Sequence, residues 1–182
     1  MNKKDFKVPL VKQKRIIKYA VREFEKYRGE MPKTDTIVVI DMTEPSYKKR
    51  FYVVSMPDGK VLRQHHVSHG VNTSCKNNRA KACYFSNTVG SLKSSKGAMK
   101  TGGVYYGSKG KSLRLHGLEK GVNNNVFRRA IVIHKARYVT DPYILRNGRA
   151  GQSFGCPALD PAVSSAVIDE IKGGTFVYIH AE

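Results

Sequence analysis

Hydrophobic positions near the start of the chain recur with a helical period. Ile16, Ile17, Ala20, Val21, Phe24 and Tyr27 fall at offsets of 0, 1, 4, 5, 8 and 11, with Lys and Arg between them, and predict an amphipathic helix over residues 11–28. Glu23, Glu25 and Glu30 interrupt its basic face, which favours packing on a domain over lying on a membrane surface. The pattern then changes. TIVVID at 36–41 is a β-branched run of the kind a buried strand shows, closed by the turn residues at 44–46. RFYVVSM, the turn Pro57-Asp58-Gly59 and KVLRQHHVSHG read as a hairpin that stops at Gly70.

Residues 72–103 are polar and aperiodic, and a stretch of that length inside a compact domain predicts a functional loop system. The short strands GVYYG and KSLRLHG follow, and then the loop LEKGVNNN. AIVIH at 130–134 is a second apolar run and predicts a central strand with His134 at its C-terminal end. Asp160-Pro161 supplies an N-cap and a first turn, AVSSAVIDEIK continues as a helix to Gly173-Gly174, and TFVYIH is the last strand. The expected architecture is mainly β, a β-rich α+β domain of about eight strands and two helices, with no βαβ alternation or internal repeat.

A chain of 182 residues with 40% hydrophobic content is long enough for one well-buried core. Its net charge of +19 is extreme and points to a polyanionic surface or ligand. The excess is +7 over residues 1–50, +7 over 51–100 and +8 over 101–150, and it reverses to −3 over 151–182. No basic element with interleaved aromatics or RNP signature is present, so nucleic acid is not assigned as a partner. No run of about 18 apolar residues exists, so no membrane span is expected. MNKKDFKVPLVKQKR has the charge of an export signal's first region but only VPLV where an apolar core should follow. Either such a signal lies outside this sequence or the chain is cytosolic.

Candidate chemistry concentrates in residues 130–160. Cys156 lies between Gly155 and Pro157 in a turn that leads toward a helix. Such a turn presents a side chain and can aim backbone N–H groups at one point, as an oxyanion hole requires. Twenty-two positions upstream, His134 is a natural base for a thiol nucleophile, because a neighbouring imidazole lowers the thiol pKa. Of the three cysteines, Cys75 and Cys83 share the polar loop; pairing them leaves Cys156 free, and two unpaired thiols fit the sequence equally well. His65, His66 and His69 precede them in a spacing that matches no standard zinc motif, so no metal is assigned.

The stretch from His134 through Ser153, Phe154, Gly155 and Cys156 resembles the YkuD-like L,D-transpeptidases of bacterial cell walls. Their motif places a His upstream of a [Ser/Thr]-His-Gly-Cys turn. The divergent murein L,D-transpeptidase catalytic domain branch is more similar still, through Val67-Ser68-His69-Gly70, Phe85-Ser86-Asn87, Ser94-Ser95-Lys96-Gly97, the segment from Ser112 to Asn123, and that from Ile131 to Ala158. The resemblance covers roughly residues 36–180.

It implies an L,D-transpeptidase-like β-sandwich or open barrel over residues 36–182, preceded over 1–35 by a basic segment and a helix packed on the domain. It further implies a peptidoglycan L,D-transpeptidase with Cys156 as nucleophile, His134 as base, Gly155 and Ser153 supporting the turn and oxyanion, and no cofactor. Arg149, His69, His116, Ser95 and Asn123 are the candidate substrate contacts, and Cys75–Cys83 is the candidate disulfide. The partners are stem peptides and anionic wall polymers, the location is periplasmic or otherwise extracytoplasmic, and the expected state is a monomer. The alternative is a non-catalytic cationic wall- or polyanion-binding module on the same fold. Three positions depart from the family pattern: Lys135 after the His, Phe154 in place of His, and Ala158 where an Arg is common.

Overall fold

In the computed structural model, which describes residues 1–56 and 58–182, the first helical period becomes α1 (Leu10–Tyr27). Its buried residues are Ile16, Ile17, Ala20 and Phe24, with Val21 and Tyr27 packed beside them. The strands β1 (Lys33–Asp41), β2 (Phe51–Ser55) and β3 (Val61–His65) follow as an antiparallel run. Pro57, in the expected β2–β3 turn, lies outside the described residues. Next come β4 (His69–Gly70), β5 (Ser74–Cys75), β6 (Asn78–Ala82), β7 (Gly97–Gly107), β8 (Gly110–Gly117) and β9 (Val132–Lys135). The chain ends with α2 (Asp141–Asn147), β10 (Gln152–Ser153), β11 (Ala158–Leu159), α3 (Pro161–Ile171) and β12 (Thr175–His180).

Eight strands form one mixed sheet in the order β11-β9-β8-β7-β12-β1-β2-β3, and β4–β10 and β5–β6 form two small pairs. Alternation along the central strands sorts side chains to two cores. Val38, Ile40, Phe51, Val53, Val177 and Ile179 join Val167, Ile168 and Ile171 of α3 on one face. Ile37, Val39, Tyr52, Val54 and Phe176 meet α1 on the other, where the Phe24 and Phe176 rings cross edge to face at 5.5 Å. The domain is thus mainly β with a helix on each side of the sheet, and α3 begins where Asp160 accepts the Ala162 N–H at 2.8 Å and Pro161 opens the first turn.

Register shows which face carries the chemistry. Directly paired residues project from the same face of a sheet. Val132 pairs with Arg114, His134 with Ser112, Ser112 with Tyr105, and His116 with Lys100. Lys100 lies two residues from Ala98, which packs in the α1 core, so His134 and α1 share one face. On that face α1 rests on β12, β1, β2 and the start of β7; His134, Arg114 and Tyr105 sit on the other half.

Four expectations need correction. The AIVIH strand is not central: β9 is second from an edge and only the two-residue β11 lies beyond it. β7 begins at Gly97, inside the stretch that reads as aperiodic, because Gly and Ala mask the alternation that buries Ala98, Met99 and Thr101. The second hairpin strand ends at His65, and the chain crosses to a separate pairing of β4 with β10. Two helices were expected and α2 is a third; Thr140 caps it, accepting the Tyr143 N–H at 3.4 Å, but seven residues are too few to show an apolar period.

Candidate active site

Cys156 is the free cysteine, since Cys75 and Cys83 are bonded to each other with Cα atoms 5.0 Å apart. It precedes β11, which pairs in parallel with β9 so that Ala158 lies beside His134. Two residues before each member of that pair, the Val132 N–H points at Cys156 Sγ from 3.5 Å, and Sγ donates to Ala130 O at 3.6 Å. Cys156 and His134 line the same cavity of about 320 Å³, with Tyr105, Lys109, Ala130, Val132, Tyr138, Gln152, Ser153 and the three-quarters-exposed Phe154. Ala130 adopts φ +52°, a left-handed conformation costing an L-residue about 1 kcal/mol, directly against the thiol.

The turn is held by three hydroxyls. Ser153 Oγ accepts the Gly155 N–H at 3.1 Å and donates to Cys156 O at 2.6 Å. Ser68 Oγ donates to the same carbonyl at 3.2 Å and accepts the Ala158 N–H at 3.0 Å. Ser94 Oγ donates to Gly155 O at 3.1 Å and accepts the Gly70 N–H at 2.9 Å. Gly155 must be glycine: its φ is +120°, and a Cβ there would stand 2.7 Å from Lys93 O and 2.9 Å from Ile131 Cδ1. A Cβ on Gly70 would lie 3.0 Å from Gly155 Cα, so the two segments touch backbone to backbone.

His134 Nδ1 is 2.8 Å from Lys135 O. A carbonyl only accepts, so Nδ1 carries the proton and Nε2 keeps the lone pair. The orienting group is therefore main chain, and a lysine at 135 is no obstacle to it. Burial, and then Lys109, hold the imidazole below its usual pKa, against the Lys135 carbonyl. Burial also pushes the Cys156 thiol up, opposed by the Val132 N–H, Arg129 and Lys109. Both shifts favour neutral forms, so burial overrides the lowered thiol pKa expected from an adjacent imidazole.

The remaining candidates separate. His69 is buried; its Nδ1 faces Arg50 Nη2 at 2.8 Å and its Nε2 faces Ser74 Oγ at 3.0 Å. Arg50 only donates, so the ring is neutral with its proton on Nε2, and burial lowers its pKa to about 3. His69 thus has no ring nitrogen left for substrate. Ser95 is buried and accepts from Arg129 at 2.7 Å. Asn123 is fully buried, with its amide divided among Lys96 O, Ala98 O and Glu119. These three are framework, because their polar atoms are already paired inside the fold. His116 stacks on Phe127 at 4.9 Å, on the sheet face of His134 but outside the cavity lining. Arg149 donates to Ala150 O at 3.1 Å and also lies outside that lining. Ala158 is fully buried. His65 packs on Phe51 and His66 edge-on to Phe6, apart from His69, and no group of three potential metal ligands occurs among the described residues.

Four site residues escape sequence reasoning. Ser68 and Ser94 stand in recognisable motifs, but their shared target 60 to 90 positions away is visible only in the fold. Arg129 donates to Ser86 O, Ser91 Oγ at 3.0 Å and Lys93 O at 2.5 Å, bracing the loop behind the thiol. Lys109, at the tip of the β7–β8 hairpin, carries no sequence signal beyond its charge.

The L,D-transpeptidase catalytic domain family (YkuD_2) matches residues 10–180, a span that takes in α1. No curated protein matches the chain significantly. Among solved structures, the chain is similar to an L,D-transpeptidase from Mycobacterium smegmatis at 15% identity and a TM-score of 0.47, covering 81% of this chain and 59% of that one. An L,D-transpeptidase (Yku) from Stackebrandtia nassauensis gives 17%, 0.46, 91% and 67% in the same order. The helical cell shape determining protein Pgp2 from Campylobacter jejuni gives 17%, 0.49, 91% and 55%. The chain thus spans 59% of the length of the first of these.

Proposed function

Because the chain belongs to the L,D-transpeptidase catalytic domain family, we propose that it transfers the acyl group of a peptidoglycan stem peptide through a thioester on Cys156. The observation that carries this reading is the free Cys156 and His134 on one cavity wall, with the His tautomer set by Lys135 O. Cys156 Sγ attacks the carbonyl that joins the L-centre of the diamino acid at stem position three to the terminal D-residue. His134 Nε2 takes the thiol proton as the C–S bond forms, and returns it to the amine as the C–N bond breaks. A second amine then attacks the thioester and releases the thiol. A neighbouring stem as acceptor yields a cross-link, a D-amino acid yields exchange, and water yields carboxypeptidase activity.

The neutral resting pair means that charge develops only during attack, where the Val132 N–H, Arg129 and Lys109 favour it. Of the two turn N–H groups that could hold the oxyanion, that of Gly155 is engaged by Ser153 Oγ, which leaves that of Cys156. Substrate in the wall places the working site outside the cytoplasm, and the net charge of +19 suits an anionic wall polymer.

The test is mass-resolved turnover of a disaccharide-tetrapeptide. Cys156→Ala abolishes release of the terminal D-residue, and a carbapenem adds one equivalent of mass to the wild type but none to the variant. Full turnover by Cys156→Ala would move the nucleophile elsewhere. Salt-sensitive binding to sacculi with no turnover by either form would favour the binding-module reading.

A further inference from the structure

Between the end of β6 and the start of β7 the chain forms neither helix nor strand, and one side chain gathers that stretch. Arg129 Nη1 donates to Ser86 O and, at 2.7 Å, to Ser95 Oγ; Nη2 donates to Ser91 Oγ at 3.0 Å and to Lys93 O at 2.5 Å. These acceptors all lie within residues 86–95, and all are neutral carbonyl or hydroxyl oxygens. The guanidinium is partly buried and takes part in no ion pair among the described residues. It therefore has hydrogen bonds but no counter-charge, and a cation withdrawn from water without one is disfavoured.

Contact and strain both tie this clamp to the thiol. Lys93 O stands 2.7 Å from the place of a Cβ on Gly155, and Ser94 Oγ donates to Gly155 O at 3.1 Å. Arg129 also precedes Ala130, whose carbonyl accepts from Cys156 Sγ at 3.6 Å. Leu92, at φ +56°, and Ala130, at φ +52°, are the two non-glycine residues with positive φ among the described residues. An L-residue adopts that conformation at a cost and keeps it only where its surroundings over-determine it. Leu92 lies between Ser91 and Lys93, which both accept from Arg129, and Ala130 is the next residue after Arg129. Both strained positions thus belong to the Arg129 network.

We propose that Arg129 is a positioning residue for the Cys156 thiol: it clamps residues 86–95 behind the Gly155-Cys156 turn and supplies the counter-charge for the ionised sulfur. For its effect on turnover this assignment rests on the acyl-transfer reading above. Burial works against the Arg129 cation, and an ionised Cys156 works for it. Seen from the sulfur, burial raises the thiol pKa, and Arg129 is among the groups that oppose the rise. The two charges therefore stabilise each other. Their pairing is complete only while the sulfur is anionic, as the proton leaves for His134 and again as the thioester breaks. At rest the thiol is neutral and the loop oxygens alone hold the cation. That task suits a guanidinium, whose planar fork reaches two acceptors from each terminal nitrogen, better than the single point of an ammonium.

The experiment compares Arg129→Gln, which removes both charge and fork, with Arg129→Lys, which keeps the charge and loses the fork. Each is measured for kcat and KM on a disaccharide-tetrapeptide, for the pH midpoint of Cys156 alkylation by iodoacetamide, and for its thermal melt. Arg129 lies outside the cavity lining, so Arg129→Gln should lower kcat about ten- to a hundredfold while KM changes less than about twofold. Its alkylation midpoint should move up, because a cation that favours the thiolate is gone. Arg129→Lys should keep the wild-type midpoint, with kcat between those of the wild type and Arg129→Gln. Loss of packing alone would lower the melt and kcat without moving the midpoint. An unmoved midpoint or a wild-type kcat in folded Arg129→Gln overturns the assignment. Should that variant fail to fold, Arg129→Lys decides, and a wild-type kcat or a raised midpoint there overturns it. A wild type without turnover removes the acyl-transfer reading, and the alkylation midpoints then decide the role of Arg129 by themselves.

Discussion

His134 Nδ1 lies 2.8 Å from the carbonyl oxygen of Lys135, so the His134 imidazole is oriented by the backbone of its own neighbour. Lys135 is the last residue of β9, and the arrangement needs no third side chain. Nitrogen-15 NMR should therefore find the Nδ1–H tautomer of His134 at neutral pH. Its protonation midpoint should lie below that of an ordinary histidine, because burial disfavours the imidazolium more than the carbonyl favours it. A proton on Nε2 at neutral pH would contradict this.

The thiol should titrate in the opposite sense. Burial raises the Cys156 pKa, so the rate of alkylation by iodoacetamide, which follows the thiolate, should rise at a higher pH than for an ordinary thiol. Lys109→Gln removes a cation that favours the thiolate and should move that midpoint further up. The same change should raise the His134 midpoint, since one cation acts on both groups. A midpoint below the ordinary thiol range would instead indicate a resting thiolate–imidazolium pair.

Ser68 joins the turn at two points, through Cys156 O and the Ala158 N–H. In Ser68→Ala the buried Ala158 N–H loses its acceptor, and the loss of stability should be about 1–3 kcal/mol in urea unfolding. Because Sγ is positioned by that turn, kcat should fall more than KM rises. Ser68→Thr, which keeps the hydroxyl, should restore both unless its extra methyl is excluded. An alanine variant with wild-type stability and turnover would show that Ser153 and Ser94 hold the turn without it.

Much of the local structure is readable from the chain. The offsets from Ile16 to Tyr27 reappear as the buried face of α1, and Asp160-Pro161 begins α3 where a cap and first-turn signal place it. Each depends on interactions within a few residues, so its pattern is written contiguously. The Gly-Cys-Pro turn is legible for the same reason, and the ordered motifs around it identify the family before any coordinate is known.

What the chain cannot express locally is which distant segments meet. That β9 lies near an edge follows from pairing with β8 and β11, and the convergence of Ser68, Ser94 and Ser153 on one turn joins segments up to 90 positions apart. His69, Ser95 and Asn123 look like substrate contacts because polar residues in motifs suggest function. The fold makes them framework, since Arg50, Arg129 and the Ala98 carbonyl reach them first. Residue type and order determined the nucleophile and base as candidates, whereas burial and register decided their resting charge, their orientation and the cationic ground beside them. Those last properties are sums over neighbours that only close packing brings within a few ångströms.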